Sequence, residues 1–144
     1  MAPHGKPQDN KVVIVTGGTY GIGRAITLLL AEKGYAVVAF GLDQAQIGSL
    51  AANGTDGTNA ELAALGLEAD LLQADVSRQA DVDRVVDFTL AKFGRVDGLV
   101  NNAAIHPHGT ILETTADTWD QVIDVNLKGM FLMVKAVLPH MIEA

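Results

Sequence analysis

At 144 residues, with no cysteine and a formal charge of −7 at pH 7, the chain has the length of one domain that buries roughly two thirds of the surface its unfolded form exposes. Missing thiols exclude disulfides and thiolate metal sites and fit a reducing, cytoplasmic location. The acidic balance speaks against nucleic acid or an anionic membrane as partner, and no apolar stretch is long enough to cross a bilayer.

Residues 1–10, Met1 to Asn10, lack the apolar core of a signal peptide and read as a flexible arm ahead of a domain over 11–144. Val12 to Val15 is a continuous apolar run, the pattern of a buried parallel strand. It delivers the chain to Thr16-Gly17-Gly18-Thr19-Tyr20-Gly21-Ile22-Gly23, after which a helical period begins. Strand, glycine turn and helix in that order make a dinucleotide-binding turn. Gly17 supplies backbone angles closed to other residues, Gly21 leaves room for a pyrophosphate, and Gly23 lets the helix sit close to the strand. The free N–H groups from about Ile22 onward point at the phosphates, with the positive end of the helix dipole behind them. That helix is expected over Ile22 to Lys33, with Ile22, Ile26, Leu29, Leu30 and the Lys33 stem on one side and Gly34 as its stop.

Ala36 to Phe40 is the second strand. Gln44 to Ala52 reads as a helix, Asn53 to Asn59 as a loop, and Ala60 to Leu65 as a short helical turn closed by Gly66. A third strand is expected near Ala69 to Gln73, then a helix from about Gln79 to Phe93 with Val82, Val85, Val86 and Leu90 inward and Gly94 past its end. Asp97 to Val100 is the fourth strand. Thr114-Thr115-Ala116-Asp117 reads as the start of a last long helix that Pro139 should bend. Buried strands alternating with helices imply an α/β fold, a doubly wound parallel sheet of Rossmann type in the order 3-2-1-4, truncated after about four strands.

His106-Pro107-His108 follows the fourth strand without a carboxylate or cysteine in ligand spacing, so it reads as loop, with substrate contact as the alternative, and no metal site is expected. Where the second strand ends, a carboxylate normally bonds the adenosine ribose; Gly41 stands there instead. Asp43, two residues on, serves either the ribose or the following helix as its N-cap. No Arg or Lys lies nearby for a 2′-phosphate, which favours NAD modestly over NADP.

The glycine turn, Asp75-Val76 after the third strand, Asn101-Asn102-Ala103-Ala104 after the fourth, and Val125-Asn126-Leu127-Lys128-Gly129 on the last helix together resemble the N-terminal part of the classical short-chain dehydrogenase/reductase family. The resemblance implies that Gly17, Gly21, Ile22 and Gly23 hold the pyrophosphate, with Thr19 and Tyr20 in the same turn. It gives the adenine contacts to Asp75 and Val76, places Asn102 and Ala103 beside the cofactor, and makes Asn126 the support of a proton relay. Apart from the family, an Asn inside an apolar helix face suits backbone contacts at a local distortion. Ala104 departs from the family's usual Gly, which asks only that the backbone there keep a negative φ.

The activity implied is hydride transfer between NAD(P) and an alcohol or carbonyl substrate. The acid/base of that chemistry in the family is the Tyr of a Tyr-x-x-x-Lys pair, and the two tyrosines present, Tyr20 and Tyr35, precede Arg24 and Ala39 by four residues. An inactive fragment of a dehydrogenase is the reading, with a non-catalytic nucleotide-binding or interaction module as the alternative. The last helix carries Trp119, Val122, Ile123, Met130, Met133, Val134 and Val137, more apolar surface than one sheet face covers; with the family's helix pairing this implies a homo-oligomer.

Overall fold

The run Val12–Thr16 forms β1 and is buried along its whole length, as a central strand covered on both faces must be. The computed structural model describes residues 10–42 and 55–144; Asp43, the helix expected over Gln44 to Ala52 and nearly all of the N-terminal arm lie outside the described residues. After β1 come α1 (Gly21–Glu32), β2 (Ala36–Gly41), α2 (Thr55–Leu65), β3 (Asp70–Gln73), α3 (Gln79–Phe93), β4 (Gly98–Val100) and α4 (Ala116–Ile123). A π-helical turn, Asp124–Lys128, then leads into α5 (Gly129–Glu143).

The strands make one parallel sheet in the order β3-β2-β1-β4, a Rossmann-type α/β fold. Because successive strand residues point to opposite faces, the sheet sorts its side chains into two cores. Ile14, Val38 and Phe40 meet Val82, Val85 and Val86 of α3 and Met133 and Val137 of α5 on one face. On the other, Val13, Val15, Val37 and Ala39 meet Ala31 of α1 and Leu62 of α2.

Three expectations change. The inward face of α1 is Gly23, Thr27 and Ala31, whereas Ile22 is 76% and Leu29 53% exposed. Close approach at the glycine turn demands small side chains along the contact line, which pushes the large apolar ones to the flanks. Second, Thr55 to Asn59 is helix rather than loop. Gly57 is a poor helix former, but Asp56 suits the first turn and Thr58 and Leu62 are buried one turn apart, so tertiary contact overrides propensity. Third, the last helix is interrupted by the π turn, after which α5 runs through Pro139 to Glu143.

Other boundaries follow the sequence closely. Gly34 sits at φ +86° and its N–H donates to the Ala31 carbonyl while that of Tyr35 reaches Leu30, a Schellman stop. Gly94, at φ +72°, closes α3 by donating to Leu90. The Thr115 hydroxyl accepts from the Thr118 amide at 3.1 Å and starts α4.

Asp97 ties the start of β1 to the chain entering β4. Its carboxylate accepts from the Val12 amide at 2.7 Å and from the Arg95 guanidinium at 2.8 and 2.5 Å. The Arg95 hydrogen bond, joined by the Val12 amide, holds the Asp97 carboxyl below its ordinary range despite partial burial. A depressed folded value means that the stabilisation is present above the unfolded pKa of about 3.9 and is lost as pH falls through the folded value. Asp97→Asn is expected to lower stability at neutral pH by about 0.5–1 kcal/mol, the pair being partly open to water. Urea unfolding at a series of pH values checks this: the gap between wild type and variant should close on acidification, and a pH-independent gap would assign the effect to packing.

Candidate functional site

Above the carboxyl ends of the strands lies a cavity of about 530 Å³, walled by Gly17 and Tyr20, the end of β2 from Phe40 to Leu42, Ala74 to Ser77 after β3, and Ala103 to Ile105 after β4. Open α/β sheets place their ligands at this end.

The glycine turn is built so that its carbonyls face inward. Asn102 Nδ2 donates to the Thr16 and Gly17 carbonyls at 3.2 Å each. The Thr27 hydroxyl reaches the Gly18 carbonyl at 2.9 Å, and the buried Thr58 hydroxyl reaches that of Thr19 at 2.8 Å. In the other direction, the Thr16 hydroxyl accepts from the Asn102 and Ala103 amides at 3.0 and 2.9 Å, locking the end of β4 to the end of β1. Gly17 has φ +62°, and a Cβ there would stand 3.0 Å from both Ala103 Cα and Asn102 Nδ2. At Gly23 a Cβ would strike the Gly17 carbonyl and the Asn102 amide, so only glycine lets α1 begin so near the strand.

Helix α1 starts at an extended Tyr20 with no side-chain cap and no acidic residue in its first turn. The first amides of a helix have no intrahelical acceptor, so Gly21, Ile22 and Gly23 present N–H groups and the positive dipole end together. Among the described residues nothing comes within 4 Å of a Cβ added at Gly21.

Across the cavity, Asp75 Oδ1 accepts from the Ser77 amide at 2.9 Å and its hydroxyl at 2.7 Å, while the Asp75 amide donates to Asp81 at 2.8 Å. Val76, beside it, is buried against Gly129, whose missing side chain leaves it room. The far wall is Asp117, Asp120, Gln121 and Asp124 from α4 and the π turn. Asp75, Asp117, Asp120 and Asp124 thus face a cavity that no described Lys or Arg lines. Burial pushes the Tyr20 phenol up from its ordinary pKa.

Of the site residues read from the sequence, Gly17, Tyr20, Asp75, Val76 and Ala103 line this cavity. Thr19, Gly23 and Asn102 stand behind it as the frame of the turn, and Gly21 and Ile22, next along the chain from Tyr20, are exposed. Ala104 keeps a negative φ, so the residue that departs from the family pattern is accommodated. At Gly41 a Cβ would run into the Thr19 hydroxyl, so a carboxylate at that position requires Thr19 to move. Asn126 lies elsewhere: it borders a neighbouring hollow of about 290 Å³ with His106, His108 and Trp119. Its amide clasps Ile105 on both sides, accepting from the Ile105 N–H at 2.8 Å and donating to its carbonyl at 2.9 Å. Backbone contact at a helix distortion, here the π turn, is what an Asn in that setting suggested. His106 and His108 pack edge to face, ring centres 5.5 Å apart.

Sequence reasoning missed Thr27, Thr58 and Ser77. Ser77, two residues after Asp75, follows the spacing of an Asx turn and was legible. The two threonines lie inside helices and bond a distant loop, which no local spacing announces.

Comparison with known sequences decides the family. The profile described as short chain dehydrogenase matches residues 11–144. The chain belongs to the short-chain dehydrogenase family. Among its relatives, the 3-oxoacyl-[acyl-carrier-protein] reductase FabG of Staphylococcus epidermidis is 38% identical over 137 residues, covering 93% of this chain and 52% of that protein. The 3-oxoacyl-[acyl-carrier-protein] reductase of Synechocystis sp. is 41% identical over 133 residues, 92% of this chain and 51% of the relative. A solved short-chain dehydrogenase/reductase from Burkholderia xenovorans superposes with a TM-score of 0.81 at 34% identity, covering 93% of this chain and 52% of its own. This short-chain dehydrogenase chain therefore spans about half the length of the curated relatives it matches. Among the described residues no helix is long and apolar enough to cross a membrane.

Proposed function

We propose that the chain binds NAD(H) and forms the cofactor-holding part of an oxidoreductase acting on an alcohol or carbonyl substrate. One observation carries this reading: the glycine turn has its carbonyls bonded inward by Asn102, Thr27 and Thr58, and the uncapped amides of α1 follow Tyr20 of the cavity wall with no described atom within 4 Å of a Cβ at Gly21. Such a cradle fits a pyrophosphate. The amides of Gly21, Ile22 and Gly23 hold the diphosphate, Gly17 gives it backbone clearance, and Asp75 and Val76 offer an acceptor and an apolar surface to adenine. Ala103 and Ile105 border the remainder. When bound, the nicotinamide supplies or accepts the hydride. Asn126 fixes Ile105 and with it the chain segment beside the reacting end, the part it plays in supporting proton transfer.

The acidic wall, which no described Lys or Arg shares, favours NAD(H) over the form bearing a 2′-phosphate. Calorimetric titration with both is the test of the reading. NAD(H) should bind several-fold more tightly, the gap narrowing as salt screens the carboxylates. Tighter binding of the phosphorylated form would refute the preference, and binding of neither would refute the site.

A homo-oligomer is part of the same proposal, with a different seam from the one expected. Met133 and Val137 are buried against the sheet, while Phe131, Val134 and Leu138, spaced by three and four residues on α5, remain exposed, as do Leu127 and Trp119. That spacing makes one continuous apolar stripe along a helix. Sedimentation at micromolar concentration should show a dimer or larger species, and Phe131→Glu should shift it towards monomer; a wild-type monomer would exclude the stripe as a self-contact.

A further inference from the structure

Helix α2, between β2 and β3 in the chain, touches the glycine turn at one point and the start of α1 at another. Thr58, in its first half, is wholly buried and donates to the Thr19 carbonyl at 2.8 Å. Glu61, nearly one turn on, pairs with Arg24 in the first turns of α1. Residue 19 is also held from the other side, because its side chain fills the space that Gly41 leaves without a Cβ.

The peptide between Thr19 and Tyr20 is trans. Its carbonyl and N–H therefore point in opposite directions. Drawing the carbonyl towards α2 turns the Tyr20 amide the other way and fixes the plane from which the uncapped end of α1 begins. With the hydroxyl gone, the Thr19 carbonyl would be a buried acceptor without that donor. Rotating the peptide to find another relieves the loss but carries the turn with it.

We propose that Thr58 is a positioning residue for the diphosphate cradle, and that docking of α2 on the turn, completed by Glu61 on Arg24, sets nucleotide affinity. This rests on the nucleotide-binding reading above. A purely structural threonine would change stability and leave the dissociation constant of the folded chain alone; a positioning threonine changes the constant itself.

The test is calorimetric titration of the 144-residue chain with ADP and with NAD, alongside thermal unfolding. Thr58→Val keeps the shape and removes the donor, and should weaken ADP binding about tenfold. Thr58→Ser should restore wild-type affinity. Thr89→Val removes another buried hydroxyl, one that bonds the Val85 carbonyl within α3, and should lower the unfolding temperature without changing affinity. Glu61→Gln alters a partly exposed side chain, folds even where Thr58→Val does not, and should weaken ADP about twofold, less at high salt. Wild-type affinity in folded Thr58→Val, or in Glu61→Gln should the valine variant not fold, overturns the proposal. An equal loss in Thr89→Val overturns it too, since affinity would then follow stability alone. Wild-type chain that binds neither ADP nor NAD refutes the nucleotide reading beneath it.

Discussion

Gly23→Ala should abolish measurable NAD binding and destabilise the fold by about 1–3 kcal/mol, the usual cost of forcing a methyl into closed packing. An isolated helix would gain about 1 kcal/mol from the same exchange, so the sign of the effect is diagnostic. The new Cβ would meet the Gly17 carbonyl and the Asn102 amide, a backbone atom and a side chain already bonded to the turn. Neither can withdraw without opening the contact between β1 and the segment after β4. Gly21→Ala makes the contrast. Its φ of +57° costs about 1–2 kcal/mol for an L side chain, but no atom of the described residues obstructs the methyl. That variant should fold and lose affinity because the methyl occupies the space of the diphosphate. Urea unfolding and NAD titration of both variants separate the two effects. A Gly23→Ala chain with wild-type midpoint and affinity would mean that the close approach of α1 to the strand serves neither purpose.

The same residues show where sequence was sufficient. Val12 to Val15, the glycine turn and the Asn102 segment announced the sheet end that holds the cavity, because each signal is local: an apolar run, a glycine pattern, a strand terminus. The stops at Gly34 and Gly94 and the Thr115 cap were legible for the same reason. The contact face of α1 was not. Periodicity counts large apolar residues, whereas the observed seam of Gly23, Thr27 and Ala31 is selected by distance to the strand. Nor was the start of α2, since Thr55 to Asn59 has a loop-like composition and becomes helical through Thr58 on the turn and Leu62 in the core. Asn126 stood between these cases. An amide inside an apolar face signals a partner, yet the partner, Ile105, is set by how the π turn meets the segment after β4.

The 144-residue chain is expected to give no measurable dehydrogenase turnover with any alcohol or ketone. Tyr20 is the tyrosine in the cavity wall, but burial raises its pKa, which makes the phenol a weaker acid. Four residues beyond it stands Arg24, whose guanidinium is engaged with Glu61, and no Lys lines the cavity among the described residues. Asn126 cannot replace the phenol, because an amide does not titrate and both its polar atoms are committed to Ile105. Loss of a general acid/base alone lowers rate by about 10²–10⁴. Among the described residues β4 also has no strand on its outer edge. Oxidation of NADH with a panel of aldehydes and ketones, run beside a full-length relative as positive control, measures the difference. Binding without turnover is the expected pair of results. Turnover by the short chain that disappears in Asn126→Ala would show that these residues contain an acid/base of their own, reached through the Ile105 segment rather than through a tyrosine.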